Sequence, residues 1–232
     1  MLRVGRLRDL PMRRLAPLAL IFSLAVAAAN AAVVTPDAEG RYQALLTAAK
    51  AAAPKVDWGQ LRHAYAERPS FQVFPTSAAR RQMLQAANAS NCKEALPSAK
   101  AVIEEDYVDA DAHFVAAFCE DAAGDGVASK LDRDIAVGLI KSIQTGDGLS
   151  ADTAFTPITV DEEYALMRAL GLKVESQALV QQAAHSYDVL HTLNEKGERG
   201  AYWFAIDGVL AAEAKALTPG SVSEGGPPSR SP

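Results

Sequence analysis

The residues best suited to chemistry are acids and histidines in the second half of the chain, and their spacing decides what they can do. Asp147, Asp152 and Asp161 could supply oxygen ligands to a hard cation if the turn at Thr145-Gly146-Asp147-Gly148 folds back on itself. The alternating acids and closing glutamate of a calcium loop are missing. Asp147 is therefore expected to hold its own turn, and Asp152 or Asp161 to cap a following segment. His185, Asp188 and His191 recur every third residue, a spacing that gathers side chains on one side of a helix but splits them between the faces of a strand. The surrounding sequence reads as a strand, so no zinc site is predicted, and His185 and Asp188 are expected to make a turn contact or fill ordinary polar positions. Glu162 and Glu163 are adjacent, so they diverge around a helix. Only a residue such as Asp188, facing one of them across a cleft, would complete a pair of carboxyl groups for acid–base work. Their default role is to meet the free N–H groups of an exposed helix start. Glu162, Glu163, His185 and Asp188 are thus the candidates for catalysis. No catalytic role is assigned to any of them, and no metal or cofactor is implied. There is no Gly-x-Ser-x-Gly elbow, and Gly124-Asp125-Gly126 lacks the Lys and Ser of a phosphate loop.

Two aromatic groups could line a binding surface. Trp58, Tyr65, Phe71 and Phe74 lie in the first half, and Tyr187, Tyr202, Trp203 and Phe204 in the second. If the two halves leave a groove, Trp58, Tyr65, Tyr187 and Trp203 are its candidate lining for a peptide or small ligand; the alternative is that they are core. Cys92 and Cys119 lie equally far from the Glu105-Asp106 junction, where a helix hairpin is expected to turn. Their sulfurs would then sit at one height on neighbouring helices, placed for a disulfide; the alternative is two buried thiols.

Five arginines (Arg3, Arg6, Arg8, Arg13, Arg14) precede an uncharged apolar run, Leu15 to Ala29, closed by Ala29-Asn30-Ala31. This reads as a signal peptide over 1–31, cleaved near Ala31, with translation starting at Met1 or Met12. The run is too short to span a bilayer, so the mature chain is expected to be periplasmic or secreted, with no membrane span. Removing 1–31 takes away five arginines and Asp9, which moves the formal charge from −5 to about −9. That acidity argues against nucleic acid and anionic lipid as partners.

An α+β fold must position these residues. Over 32–145 the reading is helical. Asp37 opens a helix bearing Tyr42, Leu45, Leu46 and Ala49 and ended by Pro54, and Asp57 opens a shorter one bearing Trp58, Leu61 and Tyr65. Alanine-rich helices follow at about 77–88, 92–105 and 109–123 in tetratricopeptide-like hairpins. A sixth, about 127–143, has the buried line Leu131, Ile135, Leu139 and Ile143. From 146 to 207 the reading is a small antiparallel sheet of about four strands with one helix. The strands fall near 154–160 (interrupted by Pro157), 172–181, 185–193 and 200–206, and the helix starts at Asp161-Glu162-Glu163 and ends at Gly171. The segment 218–232, rich in Gly, Pro and Ser, is expected to be a disordered tail.

Five segments, WGQLRHAY (58–65), YVDADAHFVA (107–116), GDGLSADTAF (146–155), VDEEYALMRALGLKV (160–174) and HSYDVL (185–190), resemble the bacterial domain of unknown function family 4919. The resemblance covers roughly 40–207. It implies an exported or envelope-associated protein and carries over no catalytic residue. Together with the repeat-like helices it points to a non-enzymatic interaction or envelope accessory module, whose partner would be an envelope protein or peptide. The alternative is a hydrolase-like or small-ligand-binding protein with an acidic and histidine site between the halves. A purely structural domain is the third possibility.

Overall fold

The computed structural model describes residues 38–51, 55–74 and 77–217. Their order is α1 (Ala38–Lys50), α2 (Trp58–Ala66), α3 (Ala78–Asn88), α4 (Cys92–Glu105), α5 (Ala110–Ala122), α6 (Gly126–Ile143), a 3-10 turn (Ala151–Thr153), α7 (Val160–Ala169), β1 (Lys173–Gln182), β2 (His185–Leu193), β3 (Arg199–Ala205) and α8 (Asp207–Leu217). The expected α+β class is borne out. Asp37, Pro54, the leader and the tail at 218–232 lie outside the described residues.

Side-chain caps start four of the helices. Asp57, Asp109 and Asp125 accept the N–H groups of Gln60, Ala112 and Ala128 at 2.9, 2.9 and 3.0 Å, and Thr159 accepts that of Glu162 at 3.3 Å. Each satisfies an N–H that the first turn leaves without a partner. Consecutive helices from α3 to α6 pack as neighbours, and α2 also rests on α6. Trp58 lies so close to α6 that a Cβ on Gly138 would come within 2.2 Å of its indole nitrogen. Cys92 opens α4 and is joined by a disulfide to Cys119 of α5, with Cα atoms 5.2 Å apart.

The sheet has three antiparallel strands in the order β1-β2-β3, not four. Of the expected strand at 154–160, only Phe155 pairs, forming a single parallel bridge to Phe204. Its N–H donates to Trp203 O at 2.9 Å, and its carbonyl accepts from Ala205 N at 2.8 Å. The ladder stops there because the Thr156 N–H turns to Ile143 O and Pro157 has no N–H to offer. A second helix, α8, accompanies α7, where one was expected; its Val209 is buried and its run of alanines favours a helix. Leu131, expected in the buried line of α6, is 49% exposed, and Asp132 is buried instead, drawn in by polar partners described below.

One continuous buried apolar cluster runs from Tyr42 and Leu61 through Leu139 and Leu166 to Leu190 and Phe204. Helix α7 lies in the middle of this sequence of contacts, touching α5 and α6 on one side and β1 on the other.

Candidate functional site

On its helical side, α7 presents Glu162 to Arg62 of α2, whose side chain is fully buried. Arg62 Nε donates to Glu162 Oε1 at 2.7 Å and Nη2 to Oε2 at 2.5 Å, a two-pronged fit that a planar guanidinium makes well. The remaining donors reach Ser142 Oγ at 3.2 Å and Thr156 O at 3.0 Å, while Ile158 N–H donates to Glu162 Oε2 at 2.8 Å. The ion pair therefore ties α2, α6 and the segment before α7 into one junction.

Beside it lies a cleft lined by Tyr65, Arg80, Asp106, Asp109, Asp111 and Asp161, holding a cavity of about 30 Å³, the space of a single water. Arg80 sits at its centre. Its three nitrogens reach Asp109 at 2.7 Å, Asp111 at 3.1 Å and Asp161 at 3.2 Å. Asp111 is shared with Arg168 of α7, 2.5 Å away. Burial pushes the Asp111 carboxyl up against the pull of these cations. Asp106 receives the Val108 N–H at 3.0 Å, but burial and the nearby Asp109 push it up to about 7.

A third network lies behind α5. His113 is buried, with Nδ1 2.6 Å from Asp132 Oδ1 and Nε2 donating to Tyr107 O at 3.0 Å. Lys100 joins Asp132 at 2.7 Å to Glu120 at 2.6 Å. Burial works against ionisation of Asp132, but hydrogen bonds from His113 and Lys100 prevail and hold it down at about 2.

On its sheet side, α7 presents Glu163, which is 0% exposed and has no hydrogen-bond partner on either oxygen. Burial, then Asp188, Glu162 and Glu213, push its carboxyl up to about 9. Asp188, buried on β2, accepts Gln177 Nε2 at 2.5 Å, and Tyr164 donates to Gln177 Oε1 at 3.0 Å. Asp188 is also pushed up by burial, against the pull of Gln177.

Of the four candidates, the structure brings together only Glu163 and Asp188. Glu162 belongs to Arg62, and neither glutamate serves an exposed helix start, since both are buried. His185 does not meet Asp188; its Nδ1 lies 2.6 Å from Asp207 at the start of α8. Asp147 does hold its turn, accepting Leu149 N–H at 3.0 Å and Thr153 Oγ1 at 2.5 Å. Asp161 pairs with Arg80 while Thr159 caps α7. The aromatic candidates do not share a groove. Trp58 packs on Gly138, Tyr65 meets Tyr42 at a tilt and Phe71 edge-on beneath Arg68, and Tyr187 meets Trp203 edge-on at 5.7 Å on the sheet.

The buried charges Arg62, Asp111, His113, Glu120 and Asp132 were missed, although helical spacing carried a signal. Arg62 stands four residues after Trp58 and three before Tyr65, on the face that the aromatics mark as inward. Asp132 stands three before Ile135 and seven before Leu139, both of them core residues.

No curated protein and no solved structure matches the chain. A family model described as a domain of unknown function (DUF4919) matches residues 42–215, a span that contains α2 to α7, the three strands and every residue of the three networks and of the Glu163 corner. The chain therefore belongs to the family DUF4919.

Proposed function

We propose that the protein is an exported, non-enzymatic interaction module of the bacterial envelope. The observation that carries this reading is that the acids and histidines best placed for chemistry are occupied by one another: Glu162 by Arg62, Asp109 and Asp161 by Arg80, Asp132 by His113 and Lys100, His185 by Asp207. Groups committed to ion pairs hold a shape, whereas reacting groups must face a substrate in an open pocket. The cleft beside them has room for about one water.

Export is supported by the leader pattern and by the disulfide, a bond that persists in oxidising compartments. Among the described residues no helix is long and apolar enough to cross a membrane. A partner would find apolar surface on the α5–α6 hairpin, where Phe118, Val127 and Leu131 are 61%, 85% and 49% exposed. The partner is an envelope protein or peptide. Crosslinking the disulfide-intact chain in an envelope extract should recover one partner in stoichiometric amount and lose it in Phe118→Asp. Recovery of background proteins alone, or equal recovery by the variant, contradicts the reading. A hydrolase-like or ligand-binding site has one observation in its favour, the approach of Glu163 to Asp188. Turnover or ligand binding abolished by Glu163→Gln would establish it instead.

A further inference from the structure

We infer that Glu163 is a proton-operated latch: it is built into the fold as a neutral carboxylic acid, and loss of its proton loosens α7 and α8 from the sheet. The inference concerns regulation of the fold and stands apart from the function proposed above.

It starts from geometry. The Glu163 side chain is closed off from solvent, and neither oxygen has a donor within reach. The charged groups that act on it come from three elements and are all acids: Asp188 from β2, Glu162 from α7 itself and Glu213 from α8. Tyr164, its neighbour on α7, is uncharged near neutral pH, and burial pushes its hydroxyl further up. From β1 comes Gln177, whose amide nitrogen is used by Asp188 and whose amide oxygen is used by Tyr164. The guanidinium of Arg62 is committed to Glu162, the preceding residue on α7, through two of its nitrogens. A carboxylate in this corner would have neither water, donor nor cation, and burying an uncompensated charge is far more costly than burying a neutral acid. Burial and the three acids accordingly hold the proton on up to about pH 9.

The sign follows from proton counting. Between the ordinary glutamate value of 4.5 and about 9, the folded chain keeps a proton that the unfolded chain has released. Folding stability therefore falls as pH rises through that window, by about tenfold in the unfolding constant per pH unit for this one group. Inside the fold, ionisation has one relief, which is to bring the side chain to water by lifting α7 from β1 and α8 from β2.

The test uses the full, disulfide-intact chain and Glu163→Gln, which keeps the shape and removes the titration. Urea unfolding of the wild type between pH 7 and 9 should weaken with rising pH, and the variant should lose about tenfold less per pH unit. Amide exchange in α7, corrected for its intrinsic rate, should quicken between pH 7 and 9 in the wild type alone. Infrared spectra with 13C-labelled glutamate should show a protonated carboxyl band in the folded wild type at pH 8 that is missing from the variant. Identical pH slopes in the two proteins, or no protonated glutamate band at pH 8, overturn the inference. If Glu163→Gln does not fold, the infrared titration of the wild type decides alone.

Discussion

Glu162 and Glu163 are neighbours on α7, yet one lies 2.7 Å from a guanidinium nitrogen and the other has no polar partner on either oxygen. On the helical side, Glu162, Asp109, Asp111 and Asp132 are matched by Arg62, Arg80, Arg168 and Lys100, while Asp106 is pushed up to about 7. On the sheet side, Asp188 and Glu213 both act on Glu163, with the neutral Gln177 and Tyr164 as company. The two regions solve the cost of burying a carboxyl group in the two ways available: supply a counter-charge, or keep the proton. The difference teaches that adjacent residues of one type can differ in charge when a helix turns them into different surroundings.

The largest effect should come from breaking the paired side. Arg62→Ala leaves Glu162 buried without its counter-charge and is expected to cost about 3–5 kcal/mol in urea unfolding. The companion Arg62→Met with Glu162→Leu, which removes both charges, should recover most of that loss. If it stays as unstable as the single variant, pairing is not what the region depends on. Next comes the disulfide, which touches neither side of α7. Replacing Cys92 and Cys119 with alanine should cost about 3 kcal/mol by freeing the unfolded chain, and equally at pH 5 and pH 9. A pH-dependent cost would couple the bridge to the acids and blur the contrast.

The contrast is sharpened by pH. Glu163 at about 9 and Asp106 at about 7 both bind protons on folding above their ordinary values, so each makes stability fall as pH rises toward its folded value. Asp132, held at about 2, acts oppositely: its contribution is present above 3.8 and lost as pH falls through about 2. Thermal melts should accordingly peak at about pH 4–5 and decline toward 9. Glu163→Gln should be more stable than the wild type at pH 8, by a margin that shrinks about tenfold in the unfolding constant per pH unit toward pH 4.5, and no more stable at pH 4. Smaller still, Gly138→Ala should cost about 1–2 kcal/mol by forcing Trp58 off α6, independently of pH. His185→Ala removes an exposed contact with Asp207 and should leave the unfolding midpoint unchanged.

The elements were legible because they rest on local rules. Asp57, Asp109 and Asp125 announce helix starts by type and position, the left-handed Gly171 closes α7 at φ 69°, and Asn194 to Glu198 make the β2–β3 turn. The cysteine spacing worked for the same reason, since a hairpin of two regular helices makes height a linear function of residue number. The strand at 154–160 failed because pairing needs a partner's free edge, which only the fold provides. Helix α8 was overlooked where apolar periodicity is short and alanine leaves a faint pattern.

The candidate site was legible in its residues but not in its pairings. Nothing in the order Asp161-Glu162-Glu163 says that the first meets Arg80, the second Arg62 and the third no cation at all. The two cations come from 81 and 100 positions away, on α3 and α2, and the acid that acts on Glu163 comes from β2, 25 positions on. Composition, caps, periodicity and turn chemistry fixed by themselves that this would be an α+β chain with a helix hairpin able to close a disulfide. Only tertiary packing decided which carboxyl groups are charged, because charge state depends on what water is excluded and what donor replaces it, and both are properties of surfaces brought together.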